Sequence, residues 1–542
     1  MKKVKWLSVV SSLVLAIALT GCGQNANSPQ VQTPSEQKPA DSAGSGETQT
    51  TESPNGKDTL VVAMTADQGT LDPGVSMDNS AWKITYPTYE RLVEYDGAST
   101  EVKAGLAKEW KISDDGLTWT FILNEGHKFA DGTPVDAEAV KFTFDRILKI
   151  AKGPSDVYGV ISEVKVENPN TVVFVLKENF PPFLSTLAAN YGGIVNPKVL
   201  DHEQNGDLGQ NYLASNTAGS GAYHLTEWKK GEYFKLEQNS HSSVQPSLKT
   251  IYFRIVGDPS AQRLQLEKGE IDIAEGIPVD QIESVKAFSN VELIQQPSLA
   301  VDYLYVNTSQ GNPALQNAKV RQAISYALDY QGIIDATQQG YATQMRGPIP
   351  KGLWGHDEQA MQYSYDPNKA KELLAEAGVK DLTLDFLYSD NKPFWETTAL
   401  MAQANLAEVG IKLNLKKVAY ATMREMIDKG EFDLCTGVWS PDFADPFMFM
   451  NYWFDSNSFG LAGNRAFYKN DEVDQMIRKA ASINNIDERK NLYQQAQNIV
   501  IEDAAYIYLD QKDFLLPMSK EVKGFTYNPM LEGIYNLATM SK

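Results

Sequence analysis

The chain has 542 residues, of which 42% are hydrophobic and 22% charged, so it can bury a large core and is not fibrous or disordered as a whole. At this length we expect two or three domains. The formal net charge of -20 argues against nucleic acid or an anionic membrane surface as the partner. With only two cysteines, Cys22 and Cys435, neither a disulfide framework nor a cysteine-based zinc site is available.

The amino terminus has the pattern of a secretory signal. Three lysines within the first five residues precede an apolar run, residues 7–19, that is too short for a membrane-spanning helix. The run ends in Leu-Thr-Gly-Cys22, which resembles the bacterial lipobox, where the signal is cut before the cysteine and its sulfur receives a diacylglycerol. The sequence therefore predicts a lipoprotein signal peptide over residues 1–21 and lipidation of Cys22. An ordinary signal peptide with a chance cysteine is the alternative.

The next segment, residues 22–58, is rich in Gln, Asn, Ser, Thr, Pro and Gly and has almost no large apolar residue. Such a segment cannot bury enough surface to offset the entropy of ordering it. We predict a disordered tether between a lipid anchor and a globular body. The protein would then work on the outer face of the cytoplasmic membrane.

The globular body begins with strand and helix patterns in alternation. Runs rich in β-branched and aromatic residues predict strands at 60–64, 118–123, 171–176 and 251–256. Apolar residues at three- and four-residue spacing predict helices after Asp136, Asn317 and Asp366. The last of these has an N-cap Asp, a Pro at the first helical position and a terminating Gly378.

The segment 382–439 predicts a βαβαβ unit. Its strands are expected at 382–388, 411–416 and 432–439, and its helices at 394–409 and 420–429. This order implies a parallel sheet, in which ligands bind beyond the carboxyl ends of the strands. A large aromatic residue and a carboxylate leave the last strand at that end. Topology alone therefore indicates Trp439 and Asp442 as candidate site residues.

No catalytic or metal-binding pattern stands out in the sequence. The five histidines are scattered, and HExxH, CxxC, GxxxxGK[ST] and GxSxG are absent. We therefore predict no catalytic residue, no metal site and no cofactor, and a protein that is not an enzyme. A secreted hydrolase is the rival from another class, since distant residues can converge in space. Cys435 is read as a small buried hydrophobe on a strand rather than a nucleophile.

Several sequence blocks occur in order along nearly the whole mature chain. They are TLDP at 70–73, YERLVEYD at 89–96, GLAKEW at 105–110, SDDGLTWTF at 113–121, KFADGTPV at 128–135, GSGAY at 219–223, GEID at 269–272 and VRQAI at 320–324. Each block is weak alone, but in this order they are specific. The chain resembles the family 5 extracellular solute-binding proteins of ABC importers, the group that includes the oligopeptide- and dipeptide-binding proteins.

This resemblance implies an α/β fold of the periplasmic-binding-protein type, type II with an extra domain, whose two lobes close about a hinge around the ligand. Domain I would be discontinuous and consist of residues 59–92, 219–299 and 515–542. Domain II would be residues 93–218, and domain III residues 300–514. The closed complex would dock on a membrane permease whose separate ATPase subunits supply the energy.

The family resemblance also assigns a role to the segment Trp439-Ser440-Pro441-Asp442. In peptide-binding members, the aspartate of a W-x-x-D pattern pairs with the α-ammonium of the peptide. A buried amine needs an opposite charge and hydrogen bonds, so one carboxylate in an aromatic cleft favours ligands with a free amino terminus. A turn cap is the alternative role for Asp442. Asp445, before Pro446, is read as the turn itself.

Further ligand-binding residues follow from the same resemblance. Met77, Asp78 and Asn79 match the stretch whose backbone pairs with extended peptides, and Tyr303, Tyr305 and Phe394 lie where the family lines side-chain pockets. Ser440, inside the W-x-x-D pattern, is expected beside them. Packing in the lobe core is the alternative role for Tyr303, since alternate strand residues face opposite ways.

One departure concerns the carboxylate of the ligand. Oligopeptide binders place a basic residue just before the W-x-x-D tryptophan, whereas here the residues before Trp439 are Cys-Thr-Gly-Val438, none of which is basic. Dipeptide binders use a basic residue elsewhere in domain III, for which Lys392 is the nearest candidate. A solvated loop lysine is the alternative for Lys392. The length of the ligand therefore stays open.

The predicted function is the extracellular substrate-binding component of an ABC importer, which captures di- or oligopeptides and delivers them to the permease. We expect a monomer that is held at the membrane by its lipid anchor and does not bind nucleic acid. A receptor for nickel chelates, glutathione or another small solute is the alternative within the same family. A peptide-sensing surface receptor without transport is a further alternative.

Overall fold

The computed structural model describes residues 56–542. The predicted signal peptide, Cys22 and the tether up to residue 55 lie outside the described residues. Among the helices that are described, none combines the length and the apolar character that a membrane span requires.

The strands of the described region form three sheets. Within residues 56–542 they are β1 (Thr59–Met64), β2 (Val93–Tyr95), β3 (Val102–Ala104), β4 (Ala107–Ile112), β5 (Thr118–Leu123), β6 (Ile161–Asn168), β7 (Thr171–Leu176), β8 (Tyr223–Lys229), β9 (Tyr233–Gln238), β10 (Thr250–Ile255), β11 (Ile273–Ala274), β12 (Val291–Val306), β13 (Ala342–Gln344), β14 (Leu382–Ser389), β15 (Ile411–Val418), β16 (Leu434–Trp439) and β17 (Tyr506–Ser519). The largest sheet has the order β15-β14-β16-β12-β17-β11-β1-β10-β9-β8, with β13 paired to β17. A second sheet has the order β4-β5-β7-β6, and β2 pairs with β3.

The helices pack on both the large sheet and the four-stranded sheet. The α-helices of the described region are α1 (Asn79–Thr85), α2 (Ala137–Ile150), α3 (Ser155–Tyr158), α4 (Phe183–Thr186), α5 (Gln210–Leu213), α6 (Pro259–Glu267), α7 (Ile282–Lys286), α8 (Ala318–Ala327), α9 (Tyr330–Gln338), α10 (Pro367–Glu376), α11 (Pro393–Glu408), α12 (Tyr420–Lys429), α13 (Phe447–Phe454), α14 (Asp471–Ala480) and α15 (Ile486–Glu502). The predicted caps at Asp136 and Asp366 are confirmed, because each side chain accepts a hydrogen bond from a backbone N–H of the first turn. The helix predicted after Asn317 is also present, and the Asn317 side chain caps it in the same way.

The predicted βαβαβ unit is also confirmed. Strand β14 pairs in parallel with both β15 and β16, and α11 and α12 make the two connections. The carboxyl ends of the three strands, at Ser389, Val418 and Trp439, therefore lie at the same edge of the sheet. Cys435 lies within β16 and is completely buried, as expected.

Two long antiparallel strands, β12 and β17, run through both parts of the large sheet. The first half of β12 pairs with the second half of β17 on the side where β11, β1 and β10 follow. The second half of β12 pairs with the first half of β17 on the other side of the sheet, where β16 and β14 are the next strands. Between Pro297 and Val301 the register of the pair shifts. The fold is α/β and two-lobed, which confirms the predicted fold class.

The hydrophobic core is shared between these parts. Phe121 of the four-stranded sheet belongs to the same buried cluster as Leu304 and Leu384 of the large sheet. A separate cluster surrounds Val62 and Phe253, on β1 and β10. The first cluster is therefore continuous from the four-stranded sheet to the segment that carries the βαβαβ unit.

Candidate ligand-binding site

The predicted site loop runs from the end of β16 at Trp439 to the start of α13 at Phe447. Asp445 fixes the far end of this loop, since its Oδ1 accepts hydrogen bonds from the Phe447 backbone N–H at 2.9 Å and from Arg489 Nη2 at 2.9 Å. Both side chains of the Asp445–Arg489 ion pair are only 4% exposed. The loop is therefore tied to α15 by a buried ion pair as well as by its own turn.

Asp442 is a partly buried carboxylate that lacks a counter-charge. Within residues 56–542 it makes no hydrogen bond and no ion pair. Burial raises the pKa of Asp442 to about 6. Burial is the largest cause of the raised pKa values of Tyr191, Tyr452 and Tyr95. The charge of Asp442 is the next largest cause for Tyr191 and Tyr452 and a smaller one for Tyr95. The carboxylate therefore lies among phenol rings, in a setting that favours an added positive charge.

Trp439 provides an aromatic surface next to this carboxylate. Its ring centroid lies 5.9 Å from that of Tyr452, and the Cζ atom of Arg465 lies 5.5 Å from the Trp439 ring. The indole Nε1–H is buried and has no acceptor among the described residues. Trp439 therefore combines a ring that can stack with a donor that is left unpaired.

Residues of the predicted domain II cover this loop. The backbone N–H of Ala444 donates to Ser185 Oγ at 2.8 Å, and Asn179 Nδ2 donates to the carbonyl oxygen of Ser482 at 2.9 Å. The structure thus has segment 179–185 closed over the loop that contains Asp442. The candidate site therefore lies between segment 179–185 and the loop 439–446, which the Ser185–Ala444 hydrogen bond joins.

Ser440 borders a cavity of about 410 Å³ that extends toward α1. Ser80 and Lys83 of α1 line the same cavity, and Lys83 forms an ion pair there with Glu275. The phenol of Tyr535 donates a hydrogen bond to the other oxygen of Glu275. Ser440 and the first turn of α1 therefore face one polar space.

The predicted backbone-pairing stretch lies at the start of α1. Met77 is 37% exposed, and Asp78 is the N-cap of the helix, where its carboxylate accepts from the Ser80 N–H at 2.8 Å. Asn79 is the first helical residue. The stretch is thus next to the cavity, and its pairing with a ligand backbone stays a prediction.

The two predicted tyrosines of β12 are packed inside the lobe. Tyr303 and Tyr305 are 1% and 2% exposed, and their hydroxyl oxygens lie 3.1 Å apart. Tyr303 packs against the ring of Trp453 at 4.5 Å, which favours its core role. Tyr305 accepts a hydrogen bond from Arg465 Nη1 at 2.7 Å, so it contacts the Trp439 site through that arginine.

Lys392 and Phe394 form a second group near the amino end of α11. Lys392 is the N-cap residue of the helix and is partly buried rather than solvated. Burial, followed by the neighbouring charge of Lys512, lowers the pKa of Lys392, while Asp302 opposes this change. Lys512 pairs with Asp302 at 2.8 Å and lies 4.4 Å from the Phe394 ring centroid. This group therefore already contains a carboxylate close to its two cations.

The structure brings Trp439, Ser440 and Asp442 together on one loop and adds residues that the sequence reasoning did not select. Arg465 and Tyr452 are the main ones. Arg465 lies 26 residues after Trp439, in an irregular segment without periodicity, so no pattern in the sequence points to it. Tyr452 lies in an apolar helix where its ring was not distinguishable from core residues. The described residues contain no group of three or more His, Cys, Asp or Glu side chains that could hold a metal ion.

This two-lobed α/β fold, with a cleft loop of the W-x-x-D type, defines a solute-binding protein. The family described as bacterial extracellular solute-binding proteins, family 5, matches residues 101–460 through the profile of its middle region. The chain belongs to this family, which confirms the resemblance that its sequence blocks indicate.

Individual relatives agree with this assignment. Over 491 residues the chain is 49% identical to the probable D,D-dipeptide-binding periplasmic protein DdpA of Escherichia coli (strain K12), which covers 90% of this chain and 95% of that protein. It is 30% identical over 469 residues to the dipeptide-binding protein of the same strain, with 82% and 87% covered. The periplasmic binding protein DppA of Helicobacter pylori, solved with the peptide STSA, superposes with a TM-score of 0.76 at 26% identity, with 89% and 98% covered.

Proposed function

We propose that this chain captures short peptides with a free amino terminus between its lobes and delivers them to the permease of an ABC importer. The observation that carries the proposal is Asp442, a carboxylate among aromatic rings without a cationic partner in the described residues. An uncompensated buried charge is unfavourable, and an α-ammonium group would neutralise it. The names of the two similar Escherichia coli proteins, which refer to dipeptides, support the same ligand class.

Each lobe has a defined part in this proposal. The loop 439–446 presents Asp442 and Trp439, and the cavity beside Ser440 has room for the rest of a ligand next to α1. The hydrogen bond from Ala444 to Ser185 holds the site closed. Hinge motion would take place where the register of β12 and β17 shifts, between Pro297 and Val301, next to the proposed boundary of domains I and III at 299/300. The ligand stabilises the closed state because only there do both lobes contact it.

Binding of alanyl-alanyl-alanine and its N-acetyl derivative tests the proposal by titration calorimetry. We expect Asp442→Asn to weaken binding of the free peptide at least tenfold and to leave the weak binding of the acetylated peptide unchanged. Asp114→Asn removes an exposed turn carboxylate and is the matched control. Equal affinity of wild type for both peptides would contradict the role of Asp442. Native mass spectrometry of the purified protein adds a direct test, since a co-purified nickel chelate or sugar would overturn the peptide class.

The cellular location is a separate part of the proposal. Cleavage before Cys22 and transfer of diacylglycerol to its sulfur would hold the protein on the outer face of the cytoplasmic membrane, where it can reach a permease as a monomer. The three parts of the signal, the lysines, the apolar run and the box at Cys22, support this. Metabolic labelling with a fatty acid should mark the wild type and not Cys22→Ser. Labelling of both would contradict the anchor.

A further inference from the structure

The cavity beside Ser440 has more negative than positive charge in its walls. Its volume is about 410 Å³, and the residues with charged side chains that line it are Lys83, Glu275, Asp513 and Glu532. Lys83 and Glu275 form an ion pair with each other, so their charges largely cancel. The carboxylates of Asp513 and Glu532 therefore give this space its excess negative charge.

Glu532 is a carboxylate in this wall without a bonded cation. Across residues 56–542 its side chain makes no hydrogen bond and no ion pair. Burial raises the pKa of Glu532, and the charges of Lys512 and then Lys83 oppose this change. Lys512 is paired with Asp302 at 2.8 Å, however. Lys83 is paired with Glu275. Because both neighbouring ammonium groups are bound to other carboxylates, a cation from outside the chain would compensate Glu532.

Asp513 adds a second negative charge to the same wall. Its Oδ2 accepts a hydrogen bond from Gln295 Nε2 at 2.6 Å, but within the described residues its carboxylate has no ion pair. Burial is the largest cause of the raised pKa of Tyr527, and the charges of Glu532 and then Asp513 raise it further. Both carboxylates are therefore near one phenol group, and a cation in the cavity is attracted by both.

The other walls of the cavity suit an apolar stem. The apolar side chains that line it include Ile277, Phe514 and Leu516. The Phe514 ring stacks on that of Tyr527 with their centroids 4.4 Å apart. Lysine and arginine side chains have the matching composition, since an alkyl stem carries the charge at its end. The face of an aromatic ring also attracts a cation. The cavity therefore fits a basic side chain, with its stem along the apolar wall and its charge at the carboxylates.

We propose that Glu532, with Asp513, binds the cationic side chain of a basic residue in the ligand, so that the protein prefers peptides that contain lysine or arginine. This inference rests on the proposed function and names a side-chain class for it. Ser440 borders the cavity and lies two residues before Asp442, so a peptide whose amino terminus is held at Asp442 has its later residues next to this space. Asp442 and Glu532 then bind two different cations of one ligand.

The test compares three pairs of tripeptides by calorimetry on the purified protein. Each peptide has two alanines and one variable residue at the first, second or third position. The variable residue is lysine in one member of the pair and norleucine, which has the same stem without the ammonium group, in the other. We expect lysine to bind wild type at least tenfold more tightly than norleucine at one or more positions. Glu532→Gln should remove this preference and leave the affinity for the norleucine peptides unchanged.

Glu521→Gln is the matched control, because Glu521 is an exposed carboxylate of the same carboxy-terminal segment. This variant should keep the full preference for lysine. Glu532→Asp, which keeps the charge on a shorter stem, should keep part of it. A melting temperature of Glu532→Gln equal to that of Glu521→Gln shows that a loss of the preference is not a loss of fold.

The outcomes separate this inference from the proposed function. If wild type binds lysine and norleucine peptides equally at every position, the selection of basic side chains is wrong while peptide capture stands. If Glu532→Gln keeps the preference, another group binds the cation and the role of Glu532 is wrong. If Glu532→Gln weakens both members of a pair by the same factor, the carboxylate acts on a group that they share, and the inference is again wrong. If no peptide binds wild type, both proposals fail.

Discussion

The guanidinium of Arg489 donates from Nη2 to the carboxylate of Asp445 at 2.9 Å, in a place where both side chains are 4% exposed. The same arginine donates from Nε to the carbonyl oxygen of Ala480 at 2.7 Å and lies 4.9 Å from the Trp354 ring. These contacts connect α15 and α14 to the loop that carries Asp442. The position of the loop that carries Asp442, the proposed ligand-binding carboxylate, thus depends on a charge pair three residues further along the chain.

Removing one partner of this pair should be strongly destabilising. We expect Arg489→Met to lower the free energy of unfolding by about 3–5 kcal/mol, because it leaves the Asp445 carboxylate buried without a counter-charge. The measurement is urea unfolding followed by tryptophan fluorescence. Lys417→Met is the matched control, since both side chains of its pair with Glu396 are about half exposed and the pair should contribute less than about 1 kcal/mol. A similar cost for both variants would contradict the importance of burial.

Local patterns in the sequence predict much of the lobe that carries this loop. The caps at Asp136, Asn317 and Asp366 and the strands of the βαβαβ unit depend on neighbouring residues, so periodicity and capping chemistry reveal them. The pairing of Asp445 with Arg489 depends on residues 44 positions apart that the fold brings together. No single-sequence pattern contains that information.

Peptide affinity should depend on pH through Asp442. Its pKa of about 6 in the ligand-free protein means that the carboxylate is protonated below that pH, and a neutral acid does not pair with an ammonium group. We expect the affinity for a free peptide to fall by about tenfold for each pH unit below 6, until the pKa of the complex is reached. Calorimetry between pH 8 and pH 4.5 measures this. The affinity of the N-acetyl peptide should stay flat, and a parallel fall for both peptides would contradict the assignment.

Ionisation of Asp442 should also affect the stability of the ligand-free protein, but in the opposite direction: its contribution to stability falls as the pH rises, whereas peptide affinity increases. Because folding raises the pKa of Asp442 from 3.8 to about 6, the folded state holds the proton more tightly, and this contribution is lost as the pH rises through that window. Asp442→Asn removes the titration. We expect the variant to be more stable than wild type by about 1–3 kcal/mol at pH 8 and to match it near pH 3.5. A variant that is less stable than wild type at pH 8 would show that the carboxylate has a partner in solution.

Closure over the site should depend on Ser185. Its hydroxyl oxygen accepts the Ala444 N–H at 2.8 Å, and under the proposed hinge motion this bond joins two segments that separate. Ser185→Ala should therefore weaken peptide binding by about 2–10-fold, mainly by faster dissociation, since one hydrogen bond contributes about 0.5–1.5 kcal/mol. Stopped-flow fluorescence measures the rates. Ser99→Ala, in an exposed turn, is the control, and an unchanged dissociation rate for Ser185→Ala would be evidence that the contact is absent in solution.

Only part of the candidate site could be predicted from the sequence, and the reason is physical. Trp439 and Asp442 follow a strand whose position in a parallel sheet can be inferred from local patterns, so topology indicates them. Arg465 is different, because it reaches the Trp439 ring from an irregular segment whose path depends on tertiary packing. For Tyr303, alternation along the strand does not tell which face of the sheet the side chain lies on, so both a pocket role and a core role were possible. The structure places the side chain against Trp453 in the core.

Cys435 should be unreactive in the folded protein. The side chain is completely buried on β16, and burial raises the pKa of its thiol, so the nucleophilic thiolate is not available near neutral pH. In Cys22→Ser, where Cys435 is the remaining cysteine, we expect no reaction with an aromatic disulfide reagent over hours under native conditions and one equivalent in guanidinium chloride. Cys22→Ser with Cys435→Ala is the blank. Rapid reaction of the native protein would contradict the packing and would reopen the case for a hydrolase with Cys435 as its nucleophile.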